Sequence, residues 1–161
     1  EWLTSPIKYI YNNHFINELN DFYFKSTDIE AINYHYFSMA LGVWKNYKKN
    51  TQTLSVKKYL YIIRPVLCMK YIRDNKAFPP MDVYSLLAGL DLKKQTVNAL
   101  CELIENKAGL KEESSIKSIS IIDSLIEEYI NMPVVRIKPN VDPIDMKYQG
   151  SEFFRKFIDC N

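Results

Sequence analysis

The chain has 161 residues, 47% of them hydrophobic, enough for one domain with a sizeable core and too few to expect two. Its 21 Lys and Arg stand against 19 Asp and Glu, a formal net charge of +2, so no global basic field holds nucleic acid and any such contact must come from a local patch. Cys68, Cys101 and Cys160 are too few and too scattered for a disulfide framework or a zinc site, and no apolar run reaches the roughly 18 residues of a spanning helix. A reduced, cytoplasmic protein with no membrane segment is the expectation.

The segment from Ser5 to Tyr11 contains Pro6 and is expected to be extended. From about Asn13 to Phe24, apolar residues recur at helical spacing. Thr27-Asp28-Ile29-Glu30 has the form of a capping box, and the helix it opens is expected to run to about Lys48 with Ile32, Tyr36, Met39, Val43 and Tyr47 on its inner stripe. A polar turn at 50–53 leads to a third helix over 55–75, with a kink expected near Tyr61 because Pro65 lies inside it. Pro79-Pro80 ends that region. Helices over 82–88 and 92–107 are expected to stop at Gly89 and Gly109, each suited to a left-handed C-cap. A sixth helix covers 118–131, with Ile122, Leu125, Ile126 and Tyr129 inward. Beyond it, Pro133, Pro139 and Pro143 punctuate a stretch with one short candidate strand at 134–137, and Ser151 to Ile158 forms a last amphipathic helix. The fold class is mainly α: a single helical bundle of about six or seven helices, with an extended N-terminal segment and a proline-rich C-terminal stretch.

Chemistry is scarce in this pattern. No Asp-x-Asp or Asp-x-Glu pair sits in a strand-like run, Asp142 and Asp145 flank Pro143 in what reads as a loop, and the four glycines form no phosphate loop. The two histidines, His14 and His35, lie on expected helices without metal-ligand spacing. The densest constellation runs from Lys57 to Pro65. On a helix, Lys57, Tyr61 and Arg64 share one face, and Lys58 with Tyr61 gives an overlapping one, so cations flank an aromatic ring as phosphate and base recognition requires. The same pattern is also what the solvated side of an amphipathic helix looks like. The 12 Tyr and 8 Phe likewise suit either stacking or packing.

His35-Tyr36-Phe37-Ser38-Met39-Ala40, the run from Lys57 to Pro65, and Pro79-Pro80 together resemble a family of predicted nucleotidyltransferases in the DNA polymerase β superfamily, some of whose members are linked to RNA repair. The opening Glu1-Trp2-Leu3-Thr4-Ser5-Pro6 looks like that family's junction after its catalytic core. Leu103 to Gly109 and Ile122 to Ile126 stand where the family has similar helices. The likeness covers most of 1–131 and only the family's C-terminal portion, whereas Leu41 and Val43 stand where more polar residues are usual. What the resemblance implies is a helical accessory domain over 1–131, with 132–161 as an extension docked on it. Its partner would be an N-terminal catalytic domain absent from this chain, carrying a Gly-Ser motif and an Asp-x-Asp metal site. The ligands would be a nucleotide or RNA. No cofactor is expected to be bound by this chain, while Mg and a nucleoside triphosphate are implied for the complete enzyme. Lys57, Lys58, Tyr61 and Arg64, with His35 and Tyr36 on a neighbouring helix, become the candidate binding set, and no catalytic residue is assigned. The alternatives are a freestanding helical interaction module, or a helical ribonuclease, for which His35 lacks a matching upstream Arg.

Overall fold

The computed structural model describes residue 7 and residues 12–50, 53–109, 115–117, 119–134 and 142–158. The expectations for 1–6 and 8–11, and for a strand at 135–137, lie outside the described residues. Among the described residues the elements are seven helices and one two-stranded ribbon. In chain order they are α1 (Asn13–Ser26), α2 (Ile29–Asn50), β1 (Thr53–Ser55), α3 (Val56–Asn75), α4 (Val83–Ala88), α5 (Lys94–Gly109), β2 (Ser115–Lys117), α6 (Ser120–Ile130) and α7 (Pro143–Ile158).

The core forms around α3. Ile62, Ile63, Val66, Leu67, Cys68 and Met69 are all buried, so the middle of this helix has almost no solvated face. A helix apolar around most of its circumference must be enclosed. Helices α2, α4, α5 and α6 all pack on it, α2 most extensively. From α2 come Tyr36, Ala40, Trp44 and Tyr47, and from α6 come Ile122, Ile126 and Tyr129, each set at helical spacing. The inner stripe of α2 therefore differs from the one expected. Ala40 and Trp44 are buried, while Met39 is 47% exposed, so the buried stripe runs through 36, 40, 44 and 47 and leaves Met39 at its rim.

Local signals set the ends. Asp28, one residue later than a Thr27 cap would place it, accepts the Glu30 N–H at 2.8 Å and starts α2. Ser55 Oγ accepts the Lys58 N–H at 3.3 Å and starts α3, which continues through Pro65 as a single helix. That helix ends at Lys76, whose φ of 52° is the one left-handed non-glycine conformation among the described residues. Gly89 is not left-handed; its φ is −86°. Its lack of a side chain serves close packing instead, since a Cβ there would lie 2.5 Å from Tyr71 Cε2. Helix α5 runs to Gly109, and the residue after it lies outside the described residues.

Two further elements depart from expectation. Of the polar turn expected at 50–53, residues 51–52 lie outside the described residues, and an unforeseen antiparallel ribbon follows, Thr53 opposite Lys117, Leu54 opposite Ile116 and Ser55 opposite Ser115, which ties the start of α3 to the approach of α6. The final helix begins at Pro143 rather than near 151, because Asp142 caps it: its carboxylate accepts the Ile144 N–H at 2.9 Å. Proline at the first helical position loses no hydrogen bond that the helix would have made. Helix α7 then packs on α1 through rings, with Phe153 on Phe22 at 5.3 Å and Phe157 on Phe15 at 5.0 Å, and through Lys156 to Glu18 at 2.8 Å.

A buried polar contact links α3 to α6. The Tyr59 hydroxyl, on a side chain only 1% exposed, donates to the Asp123 carboxylate of α6, with the Ile119 carbonyl 3.3 Å away. Burial, reinforced by the Asp123 carboxylate, pushes the Tyr59 phenol above its ordinary value of 10.0. A raised phenol stabilises the fold below pH 10.0, and that contribution is lost as rising pH ionises the unfolded chain first. Tyr59→Phe is expected to lower stability at neutral pH by about 1–3 kcal/mol in urea unfolding, since it leaves a shielded acceptor without its donor. The variant should also show a shallower loss of stability than the parent above pH 10.

Candidate functional site

Along one edge of the α2–α3 contact, side chains of both helices leave a cleft. Ile32, His35, Tyr36 and Met39 recur at spacings of three, one and three, which places them on one side of α2, and Tyr61, Arg64 and Pro65 do the same on α3. With Tyr23 of α1 these side chains line a cavity of about 440 Å³. A second cavity of about 420 Å³ shares Tyr23, Ile32 and Tyr36 with the first and continues past Phe78 and Pro79 to Asp82 and Ser85. The two cavities adjoin along these three residues and are taken together as the cleft.

Its lining is aromatic with few charges. Tyr36 is buried at 7% exposure, whereas Tyr61 is 58% exposed and stands at the rim. His35 is exposed, its ring 5.8 Å from that of Tyr36. Arg64 is half-buried, with Nη2 shielded from solvent. Proline at 65 cannot donate to the Tyr61 carbonyl, so α3 leaves one main-chain acceptor on the side where both residues line the cavity. The floor of the second half is a ring cluster in which Phe78 lies 5.4 Å from Tyr23 and 5.0 Å from Phe24.

At the far end, Asp82 caps α4 by accepting the Ser85 N–H at 2.7 Å. That main-chain bond holds its carboxyl below the ordinary value of 3.8, with smaller help from the Ser85 hydroxyl and from the Arg64 charge across the cleft.

Of the six residues singled out by sequence, the cleft brings together His35, Tyr36, Tyr61 and Arg64, from two helices. Lys57 and Lys58 are exposed on the first turn of α3 and do not line it. At about 1.5 Å per residue, Lys57 sits roughly 6 Å along the helix from Tyr61, one turn outside the mouth. Tyr23, Phe78 and Asp82 escaped the sequence reading. Tyr23 read as an ordinary helix residue and Asp82 as a helix start, and nothing local marks either as facing α2.

An arrangement of stacking surfaces, one guanidinium and one imidazole suits a flat heterocycle carrying a single anionic group better than a full triphosphate, which needs several cations. Among the described residues no group of three or more His, Cys, Asp or Glu is placed to hold a metal ion. A smaller cavity of about 340 Å³ near Lys70, Lys93, Asp91 and Glu128 balances its charges, and Lys70 is already bonded to Asp74 at 2.6 Å. No described helix is long and apolar enough to cross a membrane.

Comparison with known proteins points the same way as the residues. Residues 1–147 match the RNA repair pathway DNA polymerase beta family. The chain is 31% identical over 130 residues to the uncharacterized protein YcgL of Bacillus subtilis (strain 168), an alignment covering 81% of this chain and 50% of that protein. The chain thus spans about half the length of the curated relative it matches. No solved structure is matched.

The lowered Asp82 carboxyl gives the cleft an acid limit. A depressed carboxyl stabilises the fold above its unfolded value near 3.8, and the contribution disappears as pH falls through the lower folded value. Asp82→Asn keeps a capping side chain but removes the titration. Its stability, followed by circular dichroism between pH 5 and pH 2, is expected to fall less steeply than that of the parent.

Proposed function

The chain belongs to the RNA repair pathway DNA polymerase beta family, and on that premise we propose that it is the helical, substrate-binding part of a nucleotidyltransferase. Its α2–α3 cleft would hold the base and one phosphate of a nucleotide or of an RNA end. The observation that carries this reading is the convergence of His35, Tyr36, Tyr61 and Arg64 on one cavity.

In this reading each side chain has a separate task. Tyr61 at the rim and Tyr36 in the wall supply the faces between which a base stacks, an interaction that tolerates any base. The Arg64 fork takes a phosphate oxygen, helped by the partly desolvated setting of its inner nitrogen. His35 lies beside them as a second donor. Lys57, one turn beyond the mouth, meets the phosphates that continue outside, and Lys58 adds to the same positive rim. The cleft orients a substrate and contributes no metal ligand. The Mg and nucleoside triphosphate implied for the complete enzyme do not fit this cleft's donor set, and no step is assigned through them.

Two outcomes separate this reading from a peptide-binding module that uses the same apolar rim. In titrations with AMP and with a 5′-phosphorylated oligoribonucleotide, Arg64→Ala is expected to weaken binding about tenfold, equivalent to about 1.4 kcal/mol. Tyr61→Ala is expected to cost a similar amount by removing a stacking surface worth roughly 1–3 kcal/mol. Lys57→Ala should reduce the salt dependence more than the affinity. Unchanged affinity for both ligands in the Arg64 and Tyr61 variants would sink the proposal and favour the peptide.

A further inference from the structure

The half of the cleft beyond Tyr36 has no task when one base and one phosphate are bound. On α3 the first half is lined by Tyr61, Arg64 and Pro65 and the second by Tyr71, so the cleft follows this helix for about 15 Å at about 1.5 Å per residue. The two halves measure about 440 Å³ and about 420 Å³. Each alone falls in the size range of small-ligand sites, roughly 300–1,000 Å³. A nucleotide that fills the first half therefore leaves a second of similar size beside it.

The second half is a ring-lined compartment like the first. Tyr71, Phe78, Pro79 and Pro80 form its wall, and Phe24, 47% exposed, stands at its edge as Tyr61 does at the other. The Tyr71 ring lies so close to Gly89 that a Cβ there would meet it at 2.5 Å. The Asn75 amide donates to both the Tyr71 and the Gly89 carbonyls, at 3.2 and 3.1 Å, which fixes α4 against this stretch of α3. Among the described residues no Lys, Arg or His lines this half, and its one charged lining group is the Asp82 carboxylate. Such a compartment accepts the face of a base and repels a phosphate.

The guanidinium stands between the two. Arg64 lies between Tyr61 and Tyr71 in α3, at spacings of three and seven residues that keep all three on one side of the helix. Its charge also reaches Asp82 at the far end, where it adds to the lowering of that carboxyl. Two ring-lined compartments flanking one guanidinium match two bases joined by one phosphodiester. The carboxylate beyond the second compartment disfavours a further phosphate there.

We propose that the cleft holds two base subsites on either side of Arg64, and that its ligand is a dinucleotide step at an RNA end rather than a mononucleotide. The proposal rests on the assignment of Tyr61 and Arg64 to base and phosphate made above. The outer base stacks at Tyr61 and the inner one against Phe78 and Phe24, with Tyr36 and Tyr23, which line both halves, as the partition between them. The strand then leaves past Lys57 and ends toward Asp82.

The test is titration of the 161-residue chain with AMP and with the dinucleoside monophosphate ApA, each carrying one phosphate. ApA should bind about tenfold more tightly, the gain expected from one further stacked base. AMP carries the greater negative charge, so that preference cannot come from Arg64. Phe78→Ala and Phe24→Ala, checked for unchanged helicity, should each bring the ratio of the two affinities toward one. Phe24 is exposed, so its variant decides alone should Phe78→Ala lose structure. Equal affinity for AMP and ApA, or a preference for ApA that survives the ring substitutions, overturns the two subsites. If Arg64→Ala still weakens both ligands in that case, the one-nucleotide reading stands; binding of neither ligand overturns both.

Discussion

The burial of α3 is the constraint on which the other elements depend. Ten of its residues are buried, including the continuous run Pro65 to Met69, so no register of this helix can face water. Enclosing it demands neighbours on several sides, and α2, α4, α5 and α6 supply them. The cost of ordering those neighbours is met by apolar area that none could bury alone. Polar links then fix their rotation. Tyr59 reaches Asp123 of α6, Lys48 of α2 reaches Glu127 of α6 at 2.8 Å, and Arg73 of α3 donates to the Tyr129 hydroxyl. The exposed pair contributes little by itself, but the buried tyrosine selects one rotation of α6 against α3.

The cleft follows from that arrangement. Ala40 of α2 is fully buried in the core, and one turn earlier Tyr36 and Ile32 line the cleft with Tyr61 and Pro65 of α3. Pro65 serves both regions: its ring is buried in the core, while its missing N–H leaves the Tyr61 carbonyl unclaimed by the helix. The candidate site is thus built largely on helices that also form the core rather than on loops. Such a cleft is largely formed before any ligand arrives, which reduces the ordering cost of binding.

The helices and the family were legible in the sequence because their signals are local: a period of 3.6, and short runs such as His35 to Ala40 and Lys57 to Pro65. What escaped was set by distance. The ribbon pairs residues 53–55 with 115–117, strands of three residues with no alternation to reveal them. Lys57 and Arg64 share a helical face in sequence, yet the cleft opens at only one end of that face, a fact fixed by α2. Tyr23 and Phe78 join the site through tertiary contact alone. The start of α7 was masked by a different error of reading, in which Asp142-Pro143 suggested a loop although the pair is a cap followed by a first-turn proline.

Helix α1 lies between α7 and the cleft. None of its residues is buried, so its position rests on ring contacts made on two sides. Phe15 and Phe22 face α7, and Tyr23 and Phe24 face Phe78 at the floor of the cleft. Adjacent residues, Phe22 and Tyr23, therefore belong to different interfaces on opposite flanks of one helix. Ring pairs of this kind are worth about 0.5–1.5 kcal/mol each beyond their area, so α1 is held by a few comparable contacts rather than by a deep core. A ligand that fills the cleft against Tyr23 therefore steadies the surface on which α7 rests, and loss of the Phe153 and Phe157 contacts loosens the helix that carries Tyr23.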